Sequence, residues 1–193
     1  MNGSCPHHNP HRSERTHEHD QNPLPAGGVP RLTRTRAEIG RANRARGIAT
    51  ERDVARYLRV TGWPDAERKP DTGWSTVDRT SPDAGDIRNT PGLCWQVKST
   101  PELTGEKLTQ AMRQAADQAV VAGADYGIVV HRRAGKASPG LWWAILPLGD
   151  LCALLGADPT LITAPARNAA IRLALGDLVA LLHHAGYRDQ EAA

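Results

Sequence analysis

The chain of 193 residues is 39% apolar, has no Phe but five Trp, and carries a formal charge of +3. That supplies one modest core and excludes two large ones. Three widely spaced cysteines, Cys5, Cys94 and Cys152, argue against a disulfide framework, no apolar run is long enough to span a bilayer, and the first thirty residues lack the apolar stretch of a secretory signal, so a soluble cytoplasmic protein with no membrane partner is expected.

Charge and polarity are unevenly spread. The first thirty residues hold Cys5 and five histidines, His7, His8, His11, His17 and His19, and Leu24 and Val29 are almost their only sizeable aliphatics. So little apolar surface does not offset the entropy of ordering. Residues 1–33 therefore read as a disordered polar tail in preference to a transition-metal site. Residues 31–70 then carry eleven Lys/Arg against five Asp/Glu. Such a segment is the footprint of a polyanion binder, or else a solvated arginine-rich helix face.

Order is expected to begin between residues 35 and 50. In ATERDVARYLRVTGW, Thr50 can cap a helix whose apolar residues Val54, Ala55 and Leu58 form one stripe, and Gly62 ends it. Glu51 precedes those three by helical spacings, which puts it on the inward side. A carboxylate there needs a partner, unless it is simply a helix-start acid favoured by the dipole. Residues 64–83 are turn-rich, with a candidate strand at 73–79. Strands are expected at about 84–88 and 93–99, joined by Asn89-Thr90-Pro91-Gly92. Alternation sends Cys94, Gln96 and Lys98 to one face of the second strand and Trp95, Val97 and Ser99 to the other. Residues 102–122 predict an Ala-rich helix on which Gln110, Gln114 and Gln118 form a stripe, a solvated face in preference to one that touches the site beside the lysine strand. A buried hairpin follows, YGIVVHRR and LWWAILPL. In it His131 ends a strand and at least one of Trp142 and Trp143 is core. Finally, LGDLCALL at 148–155 echoes LGDLVALL at 175–182. Two copies are too few for a repeat fold, and Asp as an N-cap before an apolar run explains both. These helices pack on the core or form a dimer surface.

One constellation carries chemistry. Phosphodiester hydrolysis needs an activated water, neutralised charge at phosphorus and a stabilised leaving oxygen. A hard divalent cation held by oxygen ligands, with a nearby lysine, meets those needs. Asp86 on one strand, then Gln96 and Lys98 two apart on the next with Val97 turned into the core, is a minimal set of that kind. It makes a geometric demand. Asp86 must stand opposite Gln96, whereas a tight turn centred on Thr90-Pro91 would put it opposite Trp95 and on the wrong face. An odd-length loop or a bulge near 89–93 is therefore expected.

The stretch RARGIATERDVARYLRVTGWPDAER, followed by GDI and WQVKST, resembles the PD-(D/E)XK nuclease superfamily. Within it, the chain looks most like archaeal-type Holliday-junction resolvases and their phage counterparts, over about residues 40–133. The resemblance implies an α/β (α+β) restriction-endonuclease-like core at 34–146, a mixed sheet flanked by helices, with a C-terminal helical extension at 147–193. It implies a Mg²⁺- or Mn²⁺-dependent endodeoxyribonuclease, a homodimer on branched or duplex DNA, in a phage, prophage or cellular cytoplasm. Glu51, Asp86, Gln96 and Lys98 would be its catalytic residues, and Glu51, Asp86, Gln96 and the Val97 carbonyl its metal ligands. Arg44, Arg46 and Arg68 would contact phosphate. The departure from the family pattern is Gln96, where Glu or Asp is usual; an amide oxygen can ligate a hard cation but brings no charge. Asp83, in the literal Pro82-Asp83, and Asp78 are rival motif acids to Asp86. A restriction- or repair-type nuclease, a DNA-binding module weakened by Gln96, and an assembly protein with an incidental basic segment are the alternative functions.

Overall fold

The computed structural model describes residues 34–69 and 84–188; the candidate strand at 73–79, Asp78, Asp83 and the histidine-rich segment lie outside them. The chain divides between Arg34 and Thr35, and the unit Thr35–Ala193 holds every element below. The fold is α+β, a mixed six-stranded sheet with helices on it.

Helix α1 (Arg36–Val60) starts far earlier than the sequence suggested. Thr35 and Glu38 form a reciprocal capping box, and that strong start signal overrides the weaker one at Thr50. Thr50 instead lies in mid-helix and donates its hydroxyl to Arg46 O at 2.8 Å. Val54, Ala55 and Leu58 are buried on the inward stripe. Strands β1 (Glu67–Arg68), β2 (Ile87–Arg88) and β3 (Leu93–Lys98) make an antiparallel edge. Helix α2 (Gly105–Ala122) then crosses to β4 (Tyr126–His131), which runs parallel to β3. β5 (Trp143–Pro147) returns antiparallel, followed by α3 (Leu148–Leu154), α4 (Ala164–Arg167), β6 (Ala170–Ala174) and α5 (Leu175–His184). The sheet order is β1-β2-β3-β4-β5-β6.

Two cores result. On one face Trp63, Trp95, Val97, Ile128, Val130 and Trp142 pack with α1, α3 and α5. On the other, Val129 and Ile145 meet Leu103, Ala111 and Ala115 beside and on α2. The C-terminal third is therefore not a purely helical extension. It contributes β6 to the sheet, and Leu175, Leu178, Val179 and Leu182 to the larger core. Ile171, Leu173 and Ala174 of β6 are only half-buried and Ala170 and Arg172 are exposed, so its weak alternation hides it.

The LGDL echo has a geometric origin. Leu148 N–H donates to Ala169 O and Leu175 N–H to Trp142 O, each at 2.8 Å. The two copies thus sit at equivalent positions at opposite ends of the antiparallel β5–β6 ladder, and each turns a strand directly into a helix. Asp150 and Asp177 are first-turn residues and not the caps; Pro147 and Ala174 occupy the cap positions. Among the described residues no helix is long and apolar enough to cross a membrane.

Candidate functional site

The β2–β3 connection meets the geometric demand. Ile87 pairs with Trp95, so Asp86 stands opposite Gln96 and shares its face. Thr90–Gly92 forms an odd-length loop, closed by Leu93 N–H donating to Thr90 O at 3.0 Å, with Asn89 and Gly92 at positive φ. Thr90 also anchors the core side, since its Oγ1 accepts from Trp95 Nε1 at 3.1 Å. Gly85, at φ 88°, brings the backbone against β3, where a Cβ would lie 2.8 Å from Cys94 Sγ and 3.0 Å from Trp95 O. Glycine there lets Asp86 N–H reach Trp95 O at 2.7 Å.

The carboxylate of Asp86 is consequently close to β3. Its Oδ2 accepts from Val97 N–H at 2.6 Å and from Gln96 Nε2 at 2.7 Å. Only the amide nitrogen can donate to a carboxylate, so the Gln96 Oε1 is turned away. Gln96 is 5% exposed, and among the described residues its Oε1 has no hydrogen-bond partner. A buried acceptor left unmet costs about 1–3 kcal/mol. An oxygen donor of this kind beside a carboxylate fits a hard cation.

Lys98, on the same face, donates from Nζ to Gln114 Oε1 at 2.9 Å. The glutamine stripe of α2 is therefore not simply a solvated face: Gln110 is exposed, Gln114 reaches the lysine, and Gln118 is buried. Helix α2 can come this close because Gly127, the β4 neighbour of Cys94, leaves the space. A Cβ at Gly127 would lie 2.4 Å from Ala115 O.

Glu51 finds its partner in Arg68, which donates from Nε to Oε2 at 2.5 Å with both side chains largely enclosed, at 17% and 16% exposed. The helix-start explanation for Glu51 is removed, because α1 begins fifteen residues earlier at Arg36. Arg68, expected on phosphate, is engaged by Glu51. Arg44 and Arg46 are both exposed on α1. The site residues thus fall into a sheet group (Asp86, Gln96, Val97 N–H, and Lys98 with Gln114) and a helix–strand pair (Glu51 with Arg68). Among the described residues no three His, Cys, Asp or Glu come together.

Two residues near the sheet group had no earlier role. Lys69 N–H donates to Asp86 O at 2.8 Å, which places Lys69, the residue after β1, beside Asp86. His131 pairs with Lys98 in the parallel register and is buried; its Nε2 lies 2.9 Å from Thr100 O and so carries the proton, while Nδ1 has no partner. Only the register reveals either.

No protein-family model matches the chain, and no curated protein or solved structure matches it significantly.

Proposed function

We propose that this chain is a divalent-metal-dependent DNA endonuclease with a restriction-endonuclease-like site, acting on branched DNA in the manner of a junction resolvase. The observation that carries the reading is the register that sets Asp86 against Gln96, with Lys98 two residues along on the same face. That combination is what phosphodiester hydrolysis asks for, and it stands on the face of β3 opposite the core residues Trp95 and Val97.

Asp86 and Gln96 Oε1 would hold Mg²⁺ or Mn²⁺, with the Val97 carbonyl as a further oxygen donor. The cation would supply charge neutralisation at phosphorus and a more acidic water. The chain does the rest. Val97 N–H fixes one Asp86 oxygen and so the carboxylate plane. Lys98, aimed by Gln114, sets a positive charge where negative charge develops. A two-fold dimer would match the symmetry of a four-way junction.

A second reading, a DNA-binding module without turnover, is favoured by one observation: Glu51, the second acid, is occupied by Arg68. The test separates the two. A labelled four-way junction and the matching linear duplex are incubated with protein and Mg²⁺, Mn²⁺ or EDTA, with Asp86→Ala and Lys98→Ala alongside. Paired, metal-dependent cuts in the junction that both variants lose establish the resolvase. Equal cutting of duplex moves it to a restriction- or repair-type nuclease. Tight binding with no cuts under either metal leaves the binding module.

A further inference from the structure

The two parallel strands β3 and β4 end side by side, and beyond their carboxyl ends a cleft of about 520 Å³ opens. Its floor is Ser99 and Thr100, the two residues after Lys98. One wall is Arg46 from α1, and the other is the loop that carries Arg132, Arg133 and Lys136. Among the described residues no acid lines it, and none of these four cations makes an ion pair.

Three of the four cations sit on the loop. It is braced by the two tryptophans. Arg133 lies with its guanidinium carbon 4.0 Å from the centroid of the Trp143 ring, and Arg132 lies 5.6 Å from that of Trp142. Trp142 Nε1 donates to Lys136 O at 2.8 Å, and Arg133 Nη1 to Leu141 O at 3.3 Å. Trp142 is 1% exposed, so it is unavailable for base stacking and works as a post under the loop. The arginines are thereby held before any ligand arrives, which lowers the entropy lost on binding.

We infer that this cleft is a preformed clamp for the sugar–phosphate backbone of DNA, seating phosphates next to the one that Lys98 faces. The inference rests on the nuclease reading for its position relative to the scissile bond. The ligand chemistry follows from the lining alone: cations without acids, two hydroxyl side chains, and guanidinium forks suited to phosphate oxygens. Because the loop follows β4 directly and Arg132 N–H donates to Lys98 O at 3.0 Å, clamp and lysine are rigidly joined.

The test is equilibrium binding of a fluorescent junction and duplex in EDTA, where no cleavage occurs, over a range of salt. Arg132→Ala/Arg133→Ala/Lys136→Ala is compared with a control of equal charge change at exposed positions outside the cleft, Arg56→Ala/Lys107→Ala/Arg188→Ala. Arg46→Ala tests the opposite wall without touching the loop, and thermal melts check that each variant is folded. The clamp predicts at least about tenfold weaker binding by the loop triple and a log–log salt slope reduced by about 2–3, since each phosphate contact contributes roughly 0.9. Arg46→Ala should weaken binding about threefold and the control triple less than that. Equal weakening by both triples, unchanged binding by the loop triple, no DNA binding by the wild type, or displacement of DNA by polyglutamate as readily as by competitor DNA would each overturn it. The two readings fail separately. Cleavage with normal binding by the loop triple sinks the clamp alone. Cleft-dependent binding with no cleavage under Mg²⁺ or Mn²⁺ sinks the nuclease alone.

Discussion

A single oxygen of Asp86, Oδ2, takes two hydrogen bonds from β3, at 2.6 Å from Val97 N and 2.7 Å from Gln96 Nε2. The amide therefore acts here as a donor that quiets the carboxylate, while its own oxygen goes unmet. To ligate a cation Gln96 would present that oxygen, and it would do so without adding charge.

Gln96→Glu should convert this pair into two adjacent carboxylates. Without metal they repel and the donor to Asp86 is lost, so the melting temperature should fall in EDTA, by the equivalent of about 1–3 kcal/mol. Mg²⁺ or Mn²⁺ should restore it, and by more than it stabilises the wild type. Thermal melts with and without metal give the answer. A variant that melts alike in EDTA and in millimolar metal would remove Gln96 from any metal site.

Gln114 accepts from Lys98 Nζ at 2.9 Å. It is a positioning residue. Gln114→Ala should lower kcat for junction cleavage about tenfold or more, because a lysine displaced by about 1 Å loses much of its effect. DNA affinity in EDTA should not move, and Gln114→Glu should recover part of the rate by re-engaging the ammonium. A loss of affinity equal to the loss of rate would make Gln114 a DNA contact instead.

Much of this was legible in the sequence because period-2 alternation is robust in β3, where Trp95 and Val97 had to be core and Gln96 and Lys98 had to share the other face. The Asp86–Gln96 register was legible as a demand, since only one register satisfied it. The start of α1 was missed because Thr35 and Glu38 precede a stretch with no apolar stripe, so the capping box had nothing periodic after it. The enclosure of Gln114 and Gln118 is less legible, because a polar helix stripe suggests solvent before it suggests contact with the lysine strand. The close approach of α2 that encloses them depends on Gly127, on the following strand. The Glu51–Arg68 pair was foreseen only as a need for some partner, because strand edges as short as β1 carry no periodicity.

Gly127→Ala tests that close approach. Its Cβ would meet backbone atoms of Ala115 and Ala116 at 2.4–3.1 Å, which cannot swing aside. Overpacking of this kind costs about 1–3 kcal/mol or more. Urea unfolding should show a lower midpoint with an unchanged slope, and cleavage should fall further than stability explains, because α2 carries Gln114. An unchanged midpoint would mean that α2 can shift freely over the sheet.

Asp150, in the first turn of α3, is half-buried, and burial raises its carboxyl pKa above the ordinary value of 3.8. Burial thus outweighs the favourable helix dipole. Below pH 3.8 the group is protonated folded and unfolded, and nothing is lost. As pH rises through the raised folded value, ionisation favours the unfolded chain and stability declines. Asp150→Asn should therefore gain melting temperature relative to wild type at pH 7 and lose that gain at pH 3. A difference independent of pH would refute the assignment.

Glu51 and Arg68 form a largely enclosed pair, and removing Arg68 takes from Glu51 the cation that it accepts a hydrogen bond from. Glu51→Gln and Arg68→Met should each cost about 1–3 kcal/mol in urea unfolding. The double variant should cost clearly less than the two together, because Glu51 is then not left as an enclosed charge without its arginine. Additive losses would show that the two side chains are held by separate surroundings. The same cycle bears on chemistry. If Arg68 holds Glu51 away from a metal, Arg68→Met should increase stabilisation by Mn²⁺ while Glu51→Gln/Arg68→Met should not. Equal metal responses in both variants would confine Glu51 to a structural role and leave Asp86 as the one carboxylate of the sheet group.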